Sequence, residues 1–287
     1  HSASYAVESY QSLYLKSHYP LEFQVAVINN FGGFYQTWFY FNEARRMGAK
    51  VHLPCVNRSD YLTTLNGRTI FMGFVHLQGI EQQFVERFLA ERAARGPFTS
   101  LEDFISRVSF KIEQLVLLIR GGAFDFTRKP KAELLWQAHL NKSQAKKEQP
   151  ETLFQLENQR FEFPNFTTNV LQNAFDEIEL YRFPVSLSWF DLLKTKFRGE
   201  LMACQMLNFV GQHYRMLGKL VTVKNFRTCK GDPMALATFI DATGEAFVTV
   251  HFPQVLKAWP FQGDGVYLLL GKVTEEFGQP SLEVEKM

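Results

Sequence analysis

From Leu217 onward the chain alternates apolar and polar residues in short runs broken by turn residues, in the order strand, strand, strand, helix, strand, strand. Few folds accommodate that order. Residues 217–226 make the first run, and Thr228-Cys229-Lys230-Gly231-Asp232-Pro233 supplies the Gly and Pro of a reversal. Residues 234–240 follow, and Asp241-Ala242-Thr243-Gly244 turns the chain into 245–252. Within this third run Ala246, Val248, Val250 and Phe252 share one face and Phe247, Thr249 and His251 the other. The polar members of the second set predict that it faces outward. Pro253 then opens a short helical stretch, where its missing N–H costs nothing. Gly263-Asp264-Gly265 leads into 266–273, and 282–286 closes the set. The expected fold is a closed five-stranded barrel with a helix between its third and fourth strands.

That plan is the oligonucleotide-binding (OB) barrel, which commonly binds single strands or sugars on the face of strands two and three. Composition gives such binding only weak support, because 31 basic residues against 29 acidic ones leave a net charge of +2. Any DNA affinity must come from local placement, for which Arg215, Lys219, Lys224, Arg227 and Lys230 form one series. Phe226 and Phe247 are predicted to stack bases, with His251 beside them, and Arg227 and Lys230 to hold backbone at a hairpin tip. The opposite reading of Phe226 and Phe247 is burial against the segment 176–197.

At 287 residues the chain is long enough for two or three small domains. Its three cysteines, Cys55, Cys204 and Cys229, show neither pairing nor metal-ligand spacing, which favours a reducing cytoplasm. No apolar run reaches the length of a membrane span, nothing at the start reads as a signal peptide, and a start at His1 suggests a piece of a longer protein.

Before the barrel the chain reads as helical. Residues 5–29 carry apolar side chains at three and four spacing with a break at Pro20, and 34–47 make a second helix ended by Gly48. The aromatics Phe34, Tyr35, Trp38, Phe39, Tyr40 and Phe41 read as core rather than as a stacking platform. Asn66-Gly67 marks a hairpin within loop and short-strand sequence. Gly79 precedes a helix over 84–94, Gly96 leads to one over 101–108, and a third over 112–120 ends at Gly121-Gly122. Short helices joined in this way can present backbone N–H groups to a phosphate.

Several stretches together resemble one family: the opening His1–Phe23, Glu-Ala-Arg-Arg-Met-Gly at 43–48, Val-Asn-Arg-Ser-Asp at 56–60, Gly-Pro-Phe-Thr-Ser-Leu-Glu-Asp-Phe at 96–104, Gly-Gly-Ala-Phe-Asp at 121–125, Asp-Glu-Ile-Glu-Leu-Tyr-Arg-Phe-Pro-Val-Ser at 176–186 and Lys-Gly-Asp-Pro-Met-Ala at 230–235. The sequence is similar to the C-terminal part of the bacterial DNA polymerase III alpha subunit, of the C family of polymerases. The resemblance implies a multidomain α+β chain: 1–65 as the end of the fingers and a connector, 66–130 as a tandem helix-hairpin-helix domain, 131–198 as a linker with a pre-barrel helix, and 199–287 as an OB-fold domain. It implies cytoplasmic, nucleoid-associated work in DNA replication, with primer-template and single-stranded DNA, the sliding clamp and other replisome subunits as partners and no membrane.

The family's metal-binding palm aspartates lie before the matched part. Mg2+ is therefore expected only in the palm and no cofactor in this chain, whose Asp103, Asp125, Asp176 and Asp191 stand singly as helix-end or surface groups. The chain by itself is not expected to polymerise. At the first hairpin the usual Lys-Gly-apolar-Gly is replaced by Gln78-Gly79-Ile80-Glu81, which puts a carboxylate where a phosphate would sit; the acid also suits the first turn of its helix. Gly79, Ile80, Arg87, Lys111 and Arg120 remain the DNA-contact candidates of this domain, with Arg92 and Arg128 nearby. In the interval 141–160, Gln149, Leu153 and Phe154 match the family's internal clamp-binding peptide with one extra residue in the gap. A linker whose Leu153 and Phe154 pack on their own domain is the other reading. An error-prone paralogue of the same family and a protein-docking module without DNA affinity are the alternatives to a replicative alpha subunit.

Overall fold

The computed structural model describes residues 2–145, 169–229 and 231–287. In chain order the helices α1 (Ser2–His18), α2 (Pro20–Asn29) and α3 (Thr37–Arg46) precede three short strands, β1 (Lys50–His52), β2 (Thr64–Asn66) and β3 (Thr69–Phe71). Helices α4 (Gln82–Arg95), α5 (Leu101–Arg107), α6 (Ile112–Arg120), α7 (Lys131–Ala145) and α8 (Val170–Tyr181) come next. The last part holds β4 (His213–Arg227), β5 (Pro233–Ile240), β6 (Ala246–His251), α9 (Pro253–Ala258), β7 (Val266–Glu276) and β8 (Gln279–Lys286). Backbone contacts divide the chain into two compact units, one of residues 1–49 with 187–287, the other of 50–186.

In the first unit the five strands close as a barrel in the order β4-β5-β6-β8-β7, β7 returning to β4. All neighbours are antiparallel except β6 and β8, as the expected plan requires. β4 serves two partners: its first half pairs with β7 and its second with β5, with a shift in register between Leu220 and Thr222 where it turns the corner. Met216, Leu220, Phe239, Phe247, Leu269, Val273, Leu282 and Val284 fill the interior. Gly218 is needed there, because a Cβ would stand 2.8 Å from atoms of both Phe239 and Phe247, whose rings lie beneath β4.

Pro20 separates α1 from α2, having no N–H for the helix and fitting the first turn of the next one. Trp38, Phe39 and Phe41 of α3 are buried as expected, whereas Phe34 precedes the helix and is 79% exposed. The same helix meets the barrel. Asn42 Nδ2 donates to Gly244 O at 2.9 Å, Arg46 lies 3.5 Å from Glu245, and the Trp38 and Trp189 rings meet edge to face.

The second unit carries a small sheet in the order β1-β3-β2, with β1 parallel and β2 antiparallel to the central β3. The hairpin sits where Asn66-Gly67 predicts a turn, but Asn66 still pairs with Thr69, so the two loop residues are Gly67 and Arg68. Below the helices a phenylalanine cluster forms the core. The Phe104 ring lies 4.8 Å from Phe98, 5.2 Å from Phe124, 5.7 Å from Phe88 and 6.4 Å from Phe84, centroid to centroid. Ser100 caps α5 by accepting the Asp103 N–H, while Asp103 accepts the Thr99 N–H, so each side chain satisfies an N–H at the helix start.

Candidate nucleic-acid interface

In the barrel the geometry of β6 decides which side chains a ligand can reach. Across the β5–β6 pair, Ala235 faces His251, Ala237 faces Thr249 and Phe239 faces Phe247, and all six are buried. Phe247, Thr249 and His251 therefore point inward, opposite to the expectation from their polarity. The polar pair is tolerated because it satisfies itself. Thr249 Oγ1 donates to Ala237 O at 3.2 Å, so the 2.8 Å contact with His251 is a hydrogen bond donated by Nε2–H. Nδ1 has no hydrogen-bond partner among the described residues, and burial pulls the imidazole pKa down to about 4.

The outer face is consequently Thr222, Lys224 and Phe226 of β4, Met234, Leu236 and Thr238 of β5, and Ala246, Val248 and Val250 of β6. Register sets Lys224 beside Leu236 and Leu236 beside Val250, with Phe226 opposite Met234. Phe226, Leu236 and Val248 are exposed apolar groups on this face. Lys224 is exposed at its edge, and exposed Arg227 donates to Gly231 O across the hairpin tip. Lys230 lies outside the described residues.

The other two members of the basic series serve the fold. Arg215 pairs with Glu200, its Nε donating at 2.8 Å, and lies over the Phe197 ring. Lys219 is 1% exposed and ion-paired with Asp264, and its Nζ sits 5.4 Å from the Trp38 ring and 4.5 Å from that of Trp189. Burial lowers its pKa, against the opposing pull of Asp264.

In the helical unit the turn at Gly79 forms, with φ +79° at the glycine, a left-handed conformation that a side chain would strain. Three of the donors around it are given to the protein itself. The Gln78 N–H donates to Leu180 O at 3.0 Å, that of Ile80 to Leu77 O at 3.3 Å and that of Glu81 to Gln114 Oε1 at 2.8 Å, while Gln114 Nε2 returns to Gly79 O at 2.9 Å. Gln78 also accepts from Arg182, which follows α8. Three of the N–H groups around Gly79 and Ile80 are thus occupied by the protein's own acceptors.

The cations near this hairpin divide in the same way. Lys111 pairs with Glu81 at 2.8 Å, so the Glu81 carboxylate has its own counter-ion. Arg120 is held by α8, with Nε at 2.9 Å from Asp176 and Nη2 at 2.5 Å from Glu179, and these carboxylates hold the guanidinium in its charged form. Arg92 donates to Val56 O, Ser59 O and Asp60, and Arg107, which the sequence reading passed over, joins Glu91, Asp103 and Gly96 O under the α4–α5 turn. Arg87 stands exposed on α4, and Arg128 is exposed in a left-handed turn. Asp103 and Asp191 act as caps, as single acids at helix or turn ends should. Gln149, Leu153 and Phe154 lie outside the described residues. Among those described, no cluster of His, Cys, Asp and Glu converges as a metal site, and no helix is long and apolar enough to cross a membrane.

Comparison with known proteins matches residues 48–134 to a helix-hairpin-helix motif family. A DNA polymerase III subunit alpha of Xylella fastidiosa is 36% identical over 142 residues, 48% of this chain and 12% of its own length. An error-prone DNA polymerase of Mycobacterium bovis is 36% identical over 141 residues, again 48% of this chain and 13% of its own. A DNA polymerase III subunit alpha of Treponema pallidum is 25% identical over 88% of this chain and 23% of its own. The chain thus spans between 12% and 23% of the length of these relatives.

Proposed function

Because the chain belongs with the C-terminal part of the C-family polymerases, the family of the DNA polymerase III alpha subunit and the error-prone DNA polymerase, we propose that it handles DNA for such an enzyme and holds single-stranded template on its barrel. The outer face of β4–β6 carries this reading. Exposed Phe226, Leu236 and Val248 can take the flat faces of bases, while Lys224 and Arg227 stand beside them for the phosphates. This set replaces the inward Phe247 and His251. The helix-hairpin-helix unit contributes through Arg87 and Arg128 rather than through the Gln78, Ile80 and Glu81 N–H groups of the Gly79 turn, which have acceptors within the protein. Nucleotidyl transfer would be supplied by a part of the polymerase outside these 287 residues.

The test is fluorescence anisotropy of a labelled single-stranded oligonucleotide at low salt. Lys224→Ala with Arg227→Ala should weaken binding about tenfold and flatten its salt dependence, each lost phosphate contact removing about 0.7 from the logarithmic slope. Unchanged affinity and slope would reassign the barrel to protein docking. Clamp tethering through Gln149, Leu153 and Phe154 belongs to the same proposal; Leu153→Ala with Phe154→Ala should abolish binding to the organism's sliding clamp on a sensor surface, and retained binding would remove the peptide.

A further inference from the structure

We propose that the outer face of the β1-β3-β2 sheet, ahead of the Gly79 turn, is a second platform for single-stranded DNA. Strand parity selects its residues. Lys50 and His52 of β1, Thr69 and Phe71 of β3, and Thr64 and Asn66 of β2 fall on one face, while Val51, Ile70 and Leu65 fall on the other, where Ile70 is fully buried. On neighbouring strands the His52 and Phe71 rings stack, centroids 5.7 Å apart and planes within 22°, and the Arg58 guanidinium lies over the Phe71 ring, 5.7 Å from its centroid. Phe71 is thus held between His52 and Arg58, and exposed His52 is the ring on which an unstacked base can continue the stack.

Charge favours the same ligand. From Gly48 to Ile80 the chain carries Lys50, Arg58 and Arg68 against a single acid, Asp60, in a protein whose overall charge is close to balance. That acid is already bound, with Oδ1 2.6 Å from Arg92. Lys50 and Arg58 are exposed and have no carboxylate partner among the described residues. The Lys50 N–H donates to Arg68 O at 2.9 Å, which sets those two residues side by side at the sheet edge. Thr64, Asn66 and Thr69 add hydroxyl and amide groups on the same face, suited to base edges and sugars. An apolar protein partner would find a basic polar rim around only two rings, whereas a phosphodiester strand finds both of its components met.

The platform rests on the reading of the chain as a DNA-handling one, and a single experiment separates the two. Anisotropy with a labelled single-stranded oligonucleotide compares the full chain with His52→Ala, Phe71→Leu, Lys50→Ala/Arg58→Ala, and a barrel pair Lys224→Ala/Phe226→Ala. His52→Ala and Phe71→Leu should each weaken binding about three- to tenfold, and the double cation variant should lower the salt slope by about 1.4. His52 is exposed and its replacement leaves the inward face untouched, so it reports on binding even where Phe71→Leu loosens the sheet. Photocrosslinking with 5-iododeoxyuridine should place an adduct on the peptide holding His52 or Phe71. Sheet variants that bind as the parent does, with adducts confined to the barrel, overturn the platform and leave the barrel reading standing. Losses in the sheet variants alone support the platform and remove the barrel; no loss in either set removes both.

Discussion

His251 shows how one residue's placement sets both a ligand face and a pH response. Its ring is fully buried with Nε2–H given to Thr249 and Nδ1 without a hydrogen-bond partner among the described residues, so the folded barrel keeps it neutral down to about 4, while an unfolded chain takes up the proton near 6.5. Between those values the unfolded state binds more protons than the folded one. Stability is therefore complete above about pH 6.5 and falls as pH drops toward 4, by up to about 1.4 kcal/mol per pH unit for this one group. His76, pushed down to about 4 by burial, adds the same sign in the other unit. His251→Gln keeps a donor for Thr249 without a titrating ring. Urea midpoints of the barrel unit measured from pH 7 to 5 should decline less steeply in the variant, and equal slopes would place the acid sensitivity elsewhere. The alternation of residues 245–252 makes the strand legible in the sequence but does not orient it. Thr249 and His251 look solvent-facing until the hydrogen bond that pairs them, and the small Ala235 and Ala237 opposite, are known.

Elements follow from local signals where those signals act alone. Pro20, Gly48 and Asn66-Gly67 each mark a boundary that the fold keeps within a residue or so, because caps and turns are settled by neighbours in sequence. The β7–β8 hairpin departs from such rules. Phe277 and Gly278 form its two-residue loop with φ of +51° and +78°, a type I′ geometry in which Asn is the favoured first residue, and the Phe277 side chain is 96% exposed. Phe277→Asn should raise the barrel's thermal midpoint, by the equivalent of about 0.5–1 kcal/mol; a lower midpoint would mean that the phenyl ring makes a contact the fold needs. In the other unit Phe104 is the ring to which Phe84, Phe88, Phe98 and Phe124 are neighbours, so Phe104→Ala should cost about 3–5 kcal/mol in denaturant unfolding. A loss below about 1 kcal/mol would mean that the cluster closes over the gap.

At the scale of the whole chain, long-range pairings decide what each local segment is for, and they are the least visible in a linear reading. Arg120 and Lys111 have the composition of phosphate ligands but stand within reach of Asp176 and Glu179 of α8 and of Glu81, partners that no spacing rule connects. The family pattern makes the helix-hairpin-helix unit and the barrel legible; it does not reveal that the Gln78 and Glu81 N–H groups are given to Leu180 and Gln114. The first unit is built the same way. Asn42 and Gly244, 202 residues apart, are hydrogen-bonded, and Lys219 of β4 is enclosed by Trp38 from α3 and Trp189 from the segment before the barrel. A buried ammonium is costly unless neighbours compensate it, here through the faces of two indoles and the Asp264 carboxylate. Trp38→Ala removes one wall of that enclosure together with a buried indole, which costs about 3–5 kcal/mol. If residues 1–49 and 187–287 unfold as one body, hydrogen exchange in this variant should quicken along β4 around Lys219 as well as in α3. Faster exchange in α3 with β4 unchanged would show two pieces resting against each other, the barrel keeping its own stability and the Trp38 wall serving only the helices.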